Sequence, residues 1–167
     1  DGIMKVEQNQ TDHGGDLWTV PLTLNGQGTI EMTRMVKLHR ANSNVFMATV
    51  FTFGTPAQDH FLLSYSYTDY GGQYGFYVIN ANVPGCYQGD PRCSSPATPG
   101  IWDQWFQERV VYNQNSGLVS YYIDGVLRLE QNVGVPSDAT AMGVRINPYG
   151  WYTGHYHYMD DVVISHV

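Results

Sequence analysis

Near its end the chain reads WYTGHYHYMDD, from Trp151 to Asp161. Four aromatic rings, two histidines and two adjacent carboxylates crowd into these eleven residues. Side chains of an extended strand alternate between faces, so His155 and His157 share one side and Tyr156 and Tyr158 the other. Imidazole can move a proton, ligate a metal or hydrogen-bond a hydroxyl. A ring face stacks on the C–H face of a sugar, and a carboxylate pair suits a hard cation. Just upstream stand Arg145, Asn147 and Tyr149, and Tyr152 follows Trp151. Asn147-Pro148 and Tyr149-Gly150 read as a turn, which puts Trp151 and Tyr152 at a loop rim, where an exposed ring is uncommon without a use.

A transition-metal reading of His155 and His157 is weak. Zinc or copper needs a third protein ligand, and none stands at a recognisable spacing. Solvated or sugar-facing imidazoles are the simpler expectation.

The elements that must position these groups are strands. The chain has 167 residues, enough for one domain with a sizeable core. Thirteen Tyr, four Trp, six Phe and eighteen Gly, with 14% charged residues, are the composition of an all-β protein. Period-2 runs recur between turn signals. They include DLWTVPLTL, GTIEMTRMVKL, HFLLSYSYT, QYGFYVIN, WFQERVVYN, LVSYYID, VLRLEQNV, ATAMGVRIN and the closing HYHYMDDVVISHV, while NVFMATVFTFG is nearly all apolar and reads as a buried central strand. In GTIEMTRMVKL, Ile30, Met32, Arg34, Val36 and Leu38 form one phase. Asn25-Gly26 and Asp124-Gly125 are tight-turn pairs, and QNSG closes a hairpin. About eleven antiparallel strands in a two-sheet sandwich are expected, as one domain over 1–167 without repeat or boundary.

Charge and cysteines narrow the partners. Net charge is −7, with eight Lys plus Arg and no basic stripe, so nucleic acid is not the expected partner. No apolar run reaches membrane-spanning length, so membrane insertion is not expected either. Cys86 and Cys93 enclose a Gly-Asp-Pro turn in a Pro-rich stretch over 81–100, where a local disulfide fits. That bridge points to a secreted, periplasmic or cell-surface protein.

WFQERVVYNQNSGLVSYYIDGVL, then AMGVRIN, then YMDDVVIS resembles, in order and spacing, the laminin-G-like branch of the concanavalin A-like lectin/glucanase superfamily. The resemblance spans most of the chain. It implies a jelly roll whose ligands lie on a concave face or at the loop rim. It implies a core position for Trp105. It also implies a structural calcium ion on the closing-strand acids Asp160-Asp161, completed by backbone carbonyls. Asp161 is the favoured ligand, because Val162 and Ile164 share the phase of Asp160 and read as core-facing; a bulge at the pair reverses that choice.

The superfamily's glucanases carry paired acids on one strand, as E-x-D-x-x-E or E-x-D-x-E. The matching strand here, HFLLSYSYT, has no acid, and two facing carboxylates are what glycoside hydrolysis usually requires. A polysaccharide lyase remains an alternative. β-Elimination needs a Tyr or His base and a neutraliser for the uronate carboxylate. His157 or Tyr152 and Arg145, with Asn147 beside it, supply those types. The jelly-roll alginate lyases' R-x-E, Q-(I/V)-H and YFKAG-Y motifs are absent.

The reading is therefore a secreted carbohydrate-binding domain. Its polysaccharide or oligosaccharide ligand is expected on Trp151, Tyr152, Tyr149, His155, His157, Arg145 and Asn147, and the chain is expected to work with a carbohydrate-active enzyme. A small lyase is the second reading. A structural or adhesive surface domain is the third.

Overall fold

A computed structural model of the chain describes residues 2–7, 17–18, 22–23, 25–39, 45–53, 60–70, 73–80, 94–95, 102–132, 141–150, 154 and 156–167. Thirteen strands, and no helix among the described residues, build an all-β chain. They are β1 (Met4–Glu7), β2 (Leu17–Trp18), β3 (Leu22–Thr23), β4 (Thr29–His39), β5 (Val45–Phe53), β6 (His60–Tyr70), β7 (Gln73–Asn80), β8 (Ser94–Ser95), β9 (Trp105–Asn113), β10 (Leu118–Ile123), β11 (Val126–Asn132), β12 (Ala141–Gly150) and β13 (Tyr156–His166). The count exceeds the expected eleven because β2, β3 and β8 are two-residue strands and β1 has only four residues, too short to show a period.

One antiparallel sheet has the order β1-β13-β4-β9-β10-β11. Its central strand β4 alternates without a break. Ile30, Met32, Arg34, Val36 and Leu38 are buried, and the residues between them reach solvent. On β9 the buried phase is Phe106, Glu108, Val110 and Tyr112; on β10 it is Val119, Tyr121 and Ile123. His157 and Met159 continue that face on β13. Full burial of each apolar side chain there stabilises by roughly 1.5–3 kcal/mol. The phase expected for GTIEMTRMVKL is thus the observed one.

Turn chemistry fixes the register. Asp124 and Gly125 both take positive φ, 48° and 75°, as a two-residue hairpin with right-handed strand twist requires. At the β9–β10 hairpin, Gly117 takes φ 72° and the Asn113 side chain accepts from the Asn115 and Ser116 N–H groups. Gln114 is buried, accepts from the Asn25 and Gly26 N–H groups and donates to the Gln27 carbonyl, which ties the Asn25-Gly26 turn to this hairpin.

The remaining strands pair in the order β2-β12-β5-β6-β7-β8, with β3 also on β12. Strand β12 departs from the sequence expectation. Asn147, Pro148, Tyr149 and Gly150 form no turn but pair in register with Ala48, Met47, Phe46 and Val45 of β5. Pairing with β2 stops at Ile146. Among the described residues no strand pairs with Pro148 on the side of β12 away from β5, the setting in which a strand tolerates a residue without an N–H donor.

Candidate functional site

The closing strand β13 carries different chemistry on its two faces, and the structure exchanges the roles expected for them. His157 faces inward and is 1% exposed. It lies across from Leu38 on β4 and Val6 on β1. Burial, followed by the nearby Arg34 charge, lowers its pKa to about 3, because a low-dielectric site disfavours the charged imidazolium. Its Nε2 has no hydrogen-bond partner. The expectation of a sugar-facing or proton-transferring imidazole at His157 is therefore corrected: the ring is an interior group held neutral.

Beside it lies a buried polar network. Arg34 and Glu108 are cross-strand partners on β4 and β9, and the Arg34 Nε donates to the Glu108 carboxylate. Arg34 Nη1 contacts Met159 Sδ at 2.9 Å, and the Tyr121 hydroxyl donates to Glu108 Oε1 at 2.9 Å. Both charged side chains are almost wholly inaccessible. Their phase is legible in the sequence, since each interrupts an apolar alternation.

A bulge interrupts β13 next to this network. Asp160 pairs with Met35 and Val163 with Thr33, so Asp161 and Val162 together oppose Arg34. Asp161 takes φ 51°, a left-handed conformation that Asp visits more readily than most residues. Val162 is exposed, which removes the parity argument that favoured Asp161 over Asp160 as a cation ligand. Asp160 Oδ1 accepts the Asp161 N–H at 2.9 Å. Among the described residues no group of three or more His, Cys, Asp or Glu surrounds a metal position.

The outer face of the same sheet is aromatic. Tyr156 stacks on His39 with centroids 4.3 Å apart and meets Tyr158 edge-on at 5.2 Å. Tyr158 lies 6.4 Å from Trp105. Trp105 is 41% exposed; Phe106 takes the core position, which corrects the interior placement implied for Trp105. His39 Nδ1 meets Asp103 Oδ1 at 2.8 Å. Asp103 itself takes φ 59° and is anchored by its N–H to the Leu38 carbonyl. In register, Lys5, Tyr158, Lys37 and Trp105 form one row across β1, β13, β4 and β9. Sequence reasoning left Trp105 and Lys37 out, because strand alternation gives phase within a strand and not which strands are neighbours.

Arg145, Asn147 and Tyr149 occupy alternate positions of β12. Their register partners on β5 are Val50, Ala48 and Phe46, and Arg145 also pairs with Trp18 on β2. The structure brings these three onto one strand. Trp151, Tyr152, His155, Cys86 and Cys93 lie outside the described residues.

No family model and no curated protein sequence matches the chain. Solved structures do. The chain is similar to the marine PL7 alginate lyase AlyA1 from Zobellia galactanivorans, at 12% identity and TM-score 0.65, over 99% of this chain and 77% of that one. It is similar to the carbohydrate recognition domain of Emp47p, at 12% identity and TM-score 0.65, over 98% and 88%. It is also similar to the galectin LEC-6 from Caenorhabditis elegans, at 15% identity and TM-score 0.52, over 97% and 96%. These likenesses define the class: the chain has the concanavalin A-like jelly-roll fold.

Proposed function

We propose that the chain is a secreted carbohydrate-binding domain, its two sheets packed as a sandwich, that takes a polysaccharide or oligosaccharide along β12. The observation that carries this reading is the placement of Arg145, Asn147 and Tyr149 at alternate positions of a strand flanked by β2 and β5. A guanidinium, an amide and a phenol at strand spacing provide donors and acceptors for successive hydroxyls. Trp151 and Tyr152 follow directly and supply rings for stacking. His157 leaves this ligand set, since it is buried. The names of the structural neighbours support the carbohydrate class: a lectin-type recognition domain, a galectin and several alginate lyases.

The lyases among those neighbours favour one second reading, β-elimination of a uronate-containing glycan. With His157 interior, Tyr152 becomes the base and Arg145 the carboxylate neutraliser. Calorimetry of the full chain against a panel of neutral and acidic polysaccharides, run beside an absorbance assay for unsaturated uronate, tests both. Binding without a new double bond supports the binding domain, and a new double bond supports the lyase. The absence of both leaves a structural or adhesive role.

A further inference from the structure

We propose that the solvent face of the six-stranded sheet is a second glycan-binding surface, on which an acidic polysaccharide lies across Trp105 and Tyr158, with Tyr156 ordering Tyr158 edge-on and Lys37 holding the polymer's carboxylate or sulfate groups. This surface is separate from β12, which belongs to the other set of paired strands.

Three features carry the inference. First, the rings are set before any ligand arrives. Tyr156 is held between His39 and Tyr158, the Lys5 ammonium lies 4.1 Å from the Tyr156 centroid, and Trp105 leans to 6.4 Å from Tyr158 over the position of Lys37. Rings already ordered lose little freedom on binding, which is how stacking contributes affinity at a surface. Second, two of the acids beside the patch are already engaged, and the Asp160 carboxylate, two residues from Tyr158, accepts the Asp161 N–H. Glu7 pairs with Lys5 at 2.9 Å and Asp103 with His39 at 2.8 Å. Third, Lys37 has no ion-pair, hydrogen-bond or ring partner among the described residues, although Tyr158 and Trp105 flank it in register.

An ammonium without a partner among the described residues, flanked in register by Tyr158 and Trp105, is complementary to a sugar that presents a C–H face and an anionic substituent together. The overall charge of −7 opposes anions at long range, yet at 0.1 M salt that field is screened beyond about 10 Å, so the local cation governs contact.

The test uses the full chain with a polyuronate and with the same polymer after reduction of its carboxyls to neutral alcohols. Lys37→Gln and Trp105→Ala should each weaken polyuronate binding about tenfold, the size expected of one well-placed contact. The Lys37 variant should bind the reduced polymer as the parent chain does. Arg145→Ala should leave the Lys37-dependent contribution in place. Protection of Lys37 from amine acetylation by bound polyuronate provides a readout that needs no variant. Polyuronate binding that depends on Arg145 but not on Lys37 or Trp105, with no Lys37 protection, overturns the second surface and leaves the β12 reading standing. Binding that depends on Lys37 and Trp105 alone overturns the β12 reading and keeps this one. Equal affinity for both polymers, insensitive to Lys37, overturns the acidic ligand, and failure of the parent chain to bind either polymer overturns this second surface.

Discussion

Arg34 and Glu108 face each other directly across β4 and β9 on the buried side of the six-stranded sheet. The two residues opposing Arg34 from β13, Asp161 and Val162, are both exposed. The bulge therefore places no buried side chain directly opposite Arg34, and the buried Met159, the preceding inward residue of β13, meets the guanidinium instead. Tyr121 supplies a further hydrogen bond to the Glu108 carboxylate. A buried pair of this kind makes the strand register specific, since a one-residue slip moves both charges to the other face.

Removing one partner should therefore cost far more than removing both. Arg34→Met leaves the Glu108 carboxylate buried beside Tyr121 without its cation, and such losses destabilise by about 3–5 kcal/mol. The double variant Arg34→Met with Glu108→Leu should recover much of that, because paired apolar replacement of a buried ion pair is often neutral. Urea unfolding of the two single variants and the double variant checks it. Additive losses would show that the two charges act independently.

His157 sets an acid limit on stability. Its folded-state pKa is lowered to about 3, against an ordinary unfolded value near ~6.5. Below the unfolded value the unfolded chain takes up a proton that the folded chain refuses. This contribution should be flat above about pH 6.5 and fall by up to roughly 1.4 kcal/mol per pH unit between there and about pH 3. His157→Leu should flatten that window and be tolerated at pH 7, since it removes a buried imidazole whose Nε2 has no partner. Stability measured by urea unfolding at stepped pH decides this. An unchanged pH slope in the variant would mean that another group governs acid sensitivity.

A calcium ion at the Asp160-Asp161 bulge is the expectation set by the resemblance of YMDDVVIS to the superfamily's closing strand. An ion bound only by the folded chain stabilises by mass action, about 2.7 kcal/mol at a hundredfold excess over Kd. Chelator should lower Tm, added calcium should restore it, and the response should vanish when both acids become Asn. An identical melt with and without chelator, and no ion by elemental analysis, would remove calcium from the account.

A sugar-stacking Trp151 and a Trp151 that caps the core differ in what truncation of the ring costs. If the ring stacks on glycan, Trp151→Ala should weaken binding by about 1–3 kcal/mol and leave Tm nearly unchanged. If the ring caps the core, the same change should cost about 3–5 kcal/mol of stability. Calorimetry and a melt on one protein sample give both numbers.

Much of the sheet is legible in the sequence because strand phase is local. The alternation through Ile30 to Leu38, the Asp124-Gly125 turn and the WFQERVVYN–LVSYYID hairpin follow from residue type and spacing alone. Arg34 and Glu108 stand out in the same way, as charges within an apolar phase. The site is less legible, because it depends on which strands lie side by side. His155 and His157 draw attention as a same-side pair, yet no spacing rule says which side of β13 meets the core. Tyr156 and Tyr158 become a platform only when Lys37, His39 and Trp105 are brought beside them by pairing with β4 and β9. Pro148 misleads for a different reason: proline ends strands by default, yet here it pairs with Met47 of β5 within β12.

The most direct test of the central claim is titration of the full chain with neutral and acidic polysaccharides, comparing the parent with Arg145→Ala at matched Tm. The account predicts saturable binding to at least one polysaccharide that weakens by about tenfold or more on loss of the guanidinium, as expected for a charged hydrogen-bond donor. Binding that is unchanged by Arg145→Ala, or no binding to any polysaccharide, would contradict it.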